Sequence, residues 1–237
     1  NNNLEVFFAK KKQLPIYKRG DMLGHITSLT KNIVVVGSHG KTTTTSLISV
    51  IFSKTKLDPT IINGGVINSL GNSARLGKSK WSILELDESD GSFIKVLPTY
   101  SIITNIDREH MDYYKSMDNL FRLFEEFIGK VPSFGKSFIC LDDKNNKKLI
   151  DKIKFKNFYT YGKNKKSQFQ IQNIFQSKSY SKFDLNIRLQ GKKNTLIKNI
   201  KIPLIGLHNI RNATAAIAVS WSIGISKDVI KKSLNEF

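Results

Sequence analysis

A chain of 237 residues, 40% hydrophobic and 24% charged, can bury a sizeable core as one large domain or two small ones. Its single cysteine, Cys140, excludes a disulfide framework and points to a reducing, cytoplasmic compartment, and no apolar run reaches the roughly 18 residues of a membrane-spanning helix, so no membrane insertion is expected. The formal charge of +19 invites a nucleic-acid partner, but the lysines are scattered, with short clusters only at Lys10 to Lys12, Lys163 to Lys166 and Lys192 to Lys193; without interleaved aromatics they read as a solvated basic exterior, and no nucleic acid is expected.

Residues 1–28 are too short for a domain and read as the tail of something upstream. Leu14 to Tyr17 reads as a brief strand, and Asp21 as the cap of a helical turn over Met22 to Ile26. Then comes IVVVGSHGKTTTTS. Ile33, Val34, Val35 and Val36 predict a buried parallel strand, Thr42 to Phe52 a helix, and Gly37-Ser38-His39-Gly40 between them a phosphate loop. Glycines let backbone N–H groups close around phosphate oxygens, Lys41 can reach the outer phosphates, and the Thr42 hydroxyl can ligate Mg²⁺. The pattern is GxxGKT, two residues shorter than the general GxxxxGK[ST].

A strand follows at Thr60 to Asn63, and glycines punctuate a polar segment, Asn68 to Arg75, that reads as a loop, either one suited to a polar substrate or a plain connection. Trp81 to Leu86 predicts a strand ending in ELDESDGS. Glu85, Asp87, Glu88 and Asp90 would repel one another there unless a cation intervenes, and hard oxygen ligands favour Mg²⁺. Tyr100 to Thr104 is a third strand, running into NIDREHMD, where His110 stands beside carboxylates in line with the other two strand ends. Met117 to Lys130 spaces its apolar residues as an amphipathic helix, and Ser137 to Leu141, Asn145 to Ile153 and Asn157 to Tyr161 continue as strand, helix and strand. From Gln168 apolar and polar residues alternate. The fold expected is therefore α/β: a mostly parallel P-loop sheet flanked by helices, with a smaller antiparallel subsheet near residues 168–203. GLHNIRN then opens an Ala-rich helix, Ala213 to Ile223, and Ser226 caps a last one; Asn209 and Asn212 suit caps, an adenine edge or a ribose.

In this order GSHGKTTTTS, GNSARLG, ELDESDGSF, TNIDREHMD and GLHNIRNATAAIAVS resemble the central ATPase domain of the Mur ligases, the ATP-dependent amide-bond ligases of peptidoglycan synthesis. The histidine in the loop, with ESDGSF and the TNIDREHMD segment, makes the chain most similar to members that attach L-alanine to UDP-N-acetylmuramate. A tripeptide-recycling member shares that histidine and stays open as an alternative, as does a non-catalytic nucleotide-binding module. The resemblance implies that ATP phosphorylates the muramyl carboxylate and that the amine of L-alanine then attacks the acyl phosphate. It implies nucleotide contacts from Gly37, Ser38, His39, Gly40, Lys41, Thr42, Thr43, Asn209 and Asn212, with Lys41, Glu85 and His110 as catalytic residues. Thr42 and Glu85 would hold one Mg²⁺ and His110 a second, while Asn72, Arg75, Asp87, Glu88, Ser89 and Asp90 would face the UDP-sugar. Where relatives often carry a carbamylated lysine this chain has Phe124-Glu125, so none is expected. Residues 29–237 would be the central ATP-binding domain and 1–28 the tail and linker of an upstream UDP-binding domain. The enzyme's own N- and C-terminal domains are then its partners, and this domain alone is expected to bind nucleotide weakly and not to ligate.

Overall fold

In the computed structural model, which describes residues 3–67, 72–155 and 157–237, the helices α1 (Leu4–Lys11) and α2 (Arg19–Thr27) lead into strand β1 (Lys31–Val36) at the middle of the molecule. Successive side chains of a strand point to opposite faces, so Ile33 and Val35 enter one core and Val34 and Val36 the other, and all are fully buried. That is why this stretch is continuously apolar.

The chain continues through α3 (Lys41–Ser53), β2 (Thr60–Ile67), β3 (Asn72–Arg75), β4 (Trp81–Glu85), a 3-10 helix at Ser92–Lys95, β5 (Tyr100–Ile103), α4 (Met111–Tyr114) and α5 (Met117–Gly129). It closes with β6 (Lys136–Cys140), α6 (Lys144–Lys152), β7 (Phe158–Gly162), β8 (Phe169–Gln176), β9 (Ser181–Ile187), β10 (Thr195–Ile202), α7 (Leu207–Ile223) and α8 (Lys227–Asn235). Among the described residues the strands form one sheet in the order β10-β9-β8-β7-β6-β5-β1-β4-β2-β3, parallel from β8 to β2 and antiparallel at β3, β9 and β10. After β4 the chain crosses β1 to reach β5. The tips of β1, β4 and β5 therefore flank a switch point, where a crevice opens beyond their carboxyl ends.

Helices α3, α7 and α8 cover one face. The alanines of α7 let it lie close to Leu47 and Ile48 of α3, and both helices bury most of their length. On the other face Phe124 and Phe127 of α5 pack on Phe93 with ring centroids 5.2 Å apart. Side chains start the covering helices: Ser116 Oγ accepts from Asn119 N–H, Asp143 from Asn145 and Asn146, and Ser226 from Val229. In the antiparallel part both outer neighbours of β9 carry a bulge, with Asn173 (φ 49°) and Asn199 (φ 57°) in the left-handed region. Asp184 of β9 holds both, accepting from Asn173 Nδ2 at 2.8 Å and from Asn199 N–H at 2.7 Å.

Several local expectations are corrected. Leu14 to Tyr17 is irregular, exposed backbone that pairs with no strand among the described residues. Lys18 and not Asp21 occupies the N-cap position of α2, with no side-chain hydrogen bond there; Asp21 sits in the first turn and pairs with Lys95, so α2 lies against the 3-10 helix. Asn72 to Arg75 is a strand instead of a loop, and β2 runs on to Ile67 to pair with it; Asn68 to Gly71 lie outside the described residues. Every residue of β3 is exposed.

Candidate functional site

Gly37 (φ +125°) and Gly40 (φ +82°) give the turn between β1 and α3 its backbone, and neither position has room for a side chain. A Cβ on Gly37 would stand 2.3 Å from Thr104 Oγ1, and one on Gly40 2.6 Å from Asn212 Oδ1. The loop is thus pressed between the tip of β5 and the start of α7. Gly40 is the N-cap of α3 and no side chain caps the helix, so its first amides and the positive end of its dipole face the crevice.

Two carboxylates from the tip of β4 meet the residues that follow. Thr42 Oγ1 donates to Glu85 Oε1 at 2.9 Å, and Glu85 Oε2 accepts from Gly64 N–H at 2.7 Å. Lys41 Nζ donates to Glu88 Oε2 at 2.9 Å and to Gly37 O at 2.7 Å. Glu88 is 3% exposed and its Oε1 is buried without a hydrogen-bond partner among the described residues. Burial raises the Glu88 pKa above the usual carboxylate range despite the opposing pull of Lys41. Tyr114 donates its hydroxyl to the Glu88 carbonyl, and burial followed by the Glu88 charge pushes that phenol upward. For Asp87 burial acts upward too, but the Ser89 hydroxyl and the charge of Lys41 outweigh it and hold the carboxyl low.

Ligand atoms of Asp87, Glu88 and His110 lie within 4.8 Å of one another. His110 is presented by an unusual backbone (φ 55°) just before α4. Two carboxylates and an imidazole converging beside an unpartnered buried oxygen suit a divalent cation, and the Thr42-Glu85 pair offers oxygen donors for a second.

The crevice thus gathers Lys41, Thr42, Glu85, Asp87, Glu88 and His110 from β1, β4 and β5. Ser89 and Asp90 stand with Glu85 and Asp87 around a small cavity of about 70 Å³ facing Arg19 of α2. On the other side of the loop a cleft of about 330 Å³ runs between Asn105, Asp142, His208, Arg211 and Asn212. Asn212 Nδ2 donates to Asn209 Oδ1 at 3.4 Å, and Asn209 Nδ2 to Ile205 O at 2.8 Å. Arg75 is not brought in: its guanidinium pairs with Asp58, beyond the opposite end of β2, while exposed Asn72 sits opposite Ile67 at the carboxyl end.

Sequence reasoning put Glu88 on the substrate side and missed that it is the counter-ion of Lys41. It also missed that His39 Nε2 lies 3.2 Å from Asp107 Oδ2 and that Arg211 Nε donates to Asp142 Oδ2 at 2.8 Å. Only the charge of each residue was a signal; its partner lies on another element.

A model of the Mur ligase middle domain matches residues 35–220, from the end of β1 to α7. The chain belongs to the Mur ligase family. This Mur ligase domain is 70% identical over 237 residues to a UDP-N-acetylmuramate-L-alanine ligase of Pelagibacter ubique (strain HTCC1062), a match covering 100% of the chain and 51% of that protein. It is 40% identical over 236 residues to the ligase of the same name from Brucella ovis, again covering 100% of the chain and 50% of the relative. Among solved structures, a UDP-N-acetylmuramate-alanine ligase from Thermotoga maritima superposes with a TM-score of 0.84 at 25% identity, covering 100% of the chain and 52% of that chain. The domain therefore spans about half the length of the curated relatives it matches.

Proposed function

We propose that this Mur ligase domain is the ATP-binding middle, residues 29–237, of an enzyme that joins L-alanine to UDP-N-acetylmuramate in peptidoglycan synthesis, with residues 1–28 the tail of a UDP-binding domain. The observation that carries the chemistry is the hydrogen bond between Lys41 and Glu88, which puts the phosphate loop and the acidic strand tip in one site. The choice of L-alanine rests on the relatives' names.

On this reading Lys41 exchanges Glu88 for outer phosphate oxygens, and the amides at the start of α3 take the phosphate behind them. Thr42 and Glu85, already in contact, would hold one magnesium, and His110 with Asp87 and the freed Glu88 would hold another. Bound magnesium screens the repulsion between a triphosphate and the carboxylate that must approach it. Asn209 and Asn212 flank the adenine end, and Asn72, Ser89 and Asp90 stand on the sugar side, whereas Arg75 is tied to Asp58. The carboxylate attacks the γ-phosphorus and ADP leaves; the amine of L-alanine then attacks the acyl carbon, phosphate leaves, and the ammonium proton passes to solvent.

Calorimetry of Mg-ADP binding to this chain tests the reading. Weak, magnesium-dependent binding that falls about tenfold or more in Lys41→Ala and Glu85→Ala is expected, with no alanine-dependent phosphate release from the chain alone. Affinity indifferent to both substitutions would overturn it.

A further inference from the structure

The phosphate loop is two residues shorter than the general pattern, and what closes it is a side chain from another strand. Asn105, just past the tip of β5, grips the peptide of His39 from both sides: Oδ1 accepts from His39 N–H at 2.8 Å, and Nδ2 donates to His39 O at 2.9 Å. Its own carbonyl accepts from Ser38 N–H at 3.0 Å, and two residues on Asp107 N–H donates to Ser38 Oγ at 2.8 Å. Asn105 is itself seated on a fixed platform. Buried Asn146 donates to Thr104 O at 3.3 Å and buried Asn145 to Ile106 O at 2.6 Å, so the backbone on either side of Asn105 is anchored to α6.

We propose that Asn105 is the positioning residue of the phosphate loop: its carboxamide supplies the closure that a longer loop makes with its own backbone. The amides of Ser38 and His39 are spent on Asn105, so an anion is left with those of Gly40 to Thr43 at the uncapped start of α3. Asn105 touches the loop and not the phosphate. Its effect is to fix where those amides aim, which stays useful only if the aim is set before the anion arrives. Through the same short segment it ties the loop to His110, five residues on, so that phosphate loop and cation ligand keep one geometry.

The inference rests on the nucleotide reading above, and the test separates the two. Binding of Mg-pyrophosphate and Mg-ADP is measured by calorimetry, and that of adenosine by saturation-transfer NMR, for the parent chain, Asn105→Ala and Asn105→Ser, beside their melting temperatures. The expected result is an affinity for pyrophosphate and ADP about tenfold lower in both variants with adenosine unmoved. Serine is not expected to rescue, because one hydroxyl cannot span His39 N–H and His39 O together. A parent chain that binds neither phosphate ligand overturns the nucleotide reading and this inference with it. A parent that binds, with variants within twofold of it, overturns the positioning role alone. Equal loss for adenosine, or failure of both variants to fold, also overturns it, since Asn105 would then be holding the fold and not the loop.

Discussion

At the scale of single residues the most consequential contact is the partly buried pair of Lys41 and Glu88. An ammonium withdrawn from water needs an anion beside it, and Glu88 is that anion. Glu88→Gln keeps the shape and removes the charge, so the unliganded variant should lose stability, and an incoming phosphate should restore more than it does in the parent. The measurement is the rise in melting temperature on adding metal-free ADP; a rise no larger than the parent's would refute the counter-ion role. Cys140 makes a separate prediction at this scale. Burial pushes its thiol up to about 11 from the ordinary 9.0. With the folded value above the unfolded one, the unfolded chain loses its proton first as pH rises, so Cys140 contributes a loss of stability between pH 9.0 and about 11, about 3 kcal/mol when complete. Urea midpoints of Cys140→Ala should therefore fall less steeply than the parent's across that window, and parallel curves would contradict the shift.

At the scale of elements, the strands that chemistry demands were legible and those that context demands were not. Ile33 to Val36 had to be a strand buried on both faces, and the alternation after Gln168 had to be a half-buried antiparallel sheet, because only those environments suit such side chains. Asn72 to Arg75 has no such signature. It is extended because β2 offers an edge to pair with, a tertiary cause invisible in four polar or small residues. Leu14 to Tyr17 is the converse, apolar enough for a strand but paired with no strand among the described residues. The same division holds in the site. The glycines, Lys41 and the acid run were readable as chemistry, whereas the pairing of Lys41 with Glu88 and of His39 with Asn105 depends on the chain crossing β1 between β4 and β5. Within the antiparallel part Asp184 is the residue on which two bulges lean. Asp184→Ala should cost about 0.5–1.5 kcal/mol in chemical denaturation, by removing the acceptor shared by Asn173 and Asn199 in their left-handed backbone. A change under half a kcal/mol would show that the bulges hold themselves.

At the scale of the whole molecule, one sheet joins two cores that share β1, and the site sits where that shared strand ends. Among the described residues no helix is long and apolar enough to cross a membrane. The exterior combines two opposed tendencies. Helix α1 buries none of its residues, and Leu4, Phe7 and Phe8 are 71%, 60% and 50% exposed, while the chain as a whole carries a formal charge of +19. In dilute buffer that charge keeps copies apart; at 1 M salt, with a screening length of roughly 3 Å, the greasy helix is no longer shielded by mutual repulsion. Sedimentation velocity should find this chain monodisperse at low ionic strength and self-associating as sodium chloride is raised, with Phe7→Ser suppressing the change. Dispersal by salt would instead mark the positive surface as the adhesive one. Concentrated brine, the usual remedy for a sticky basic protein, is therefore the condition in which this one should be hardest to handle.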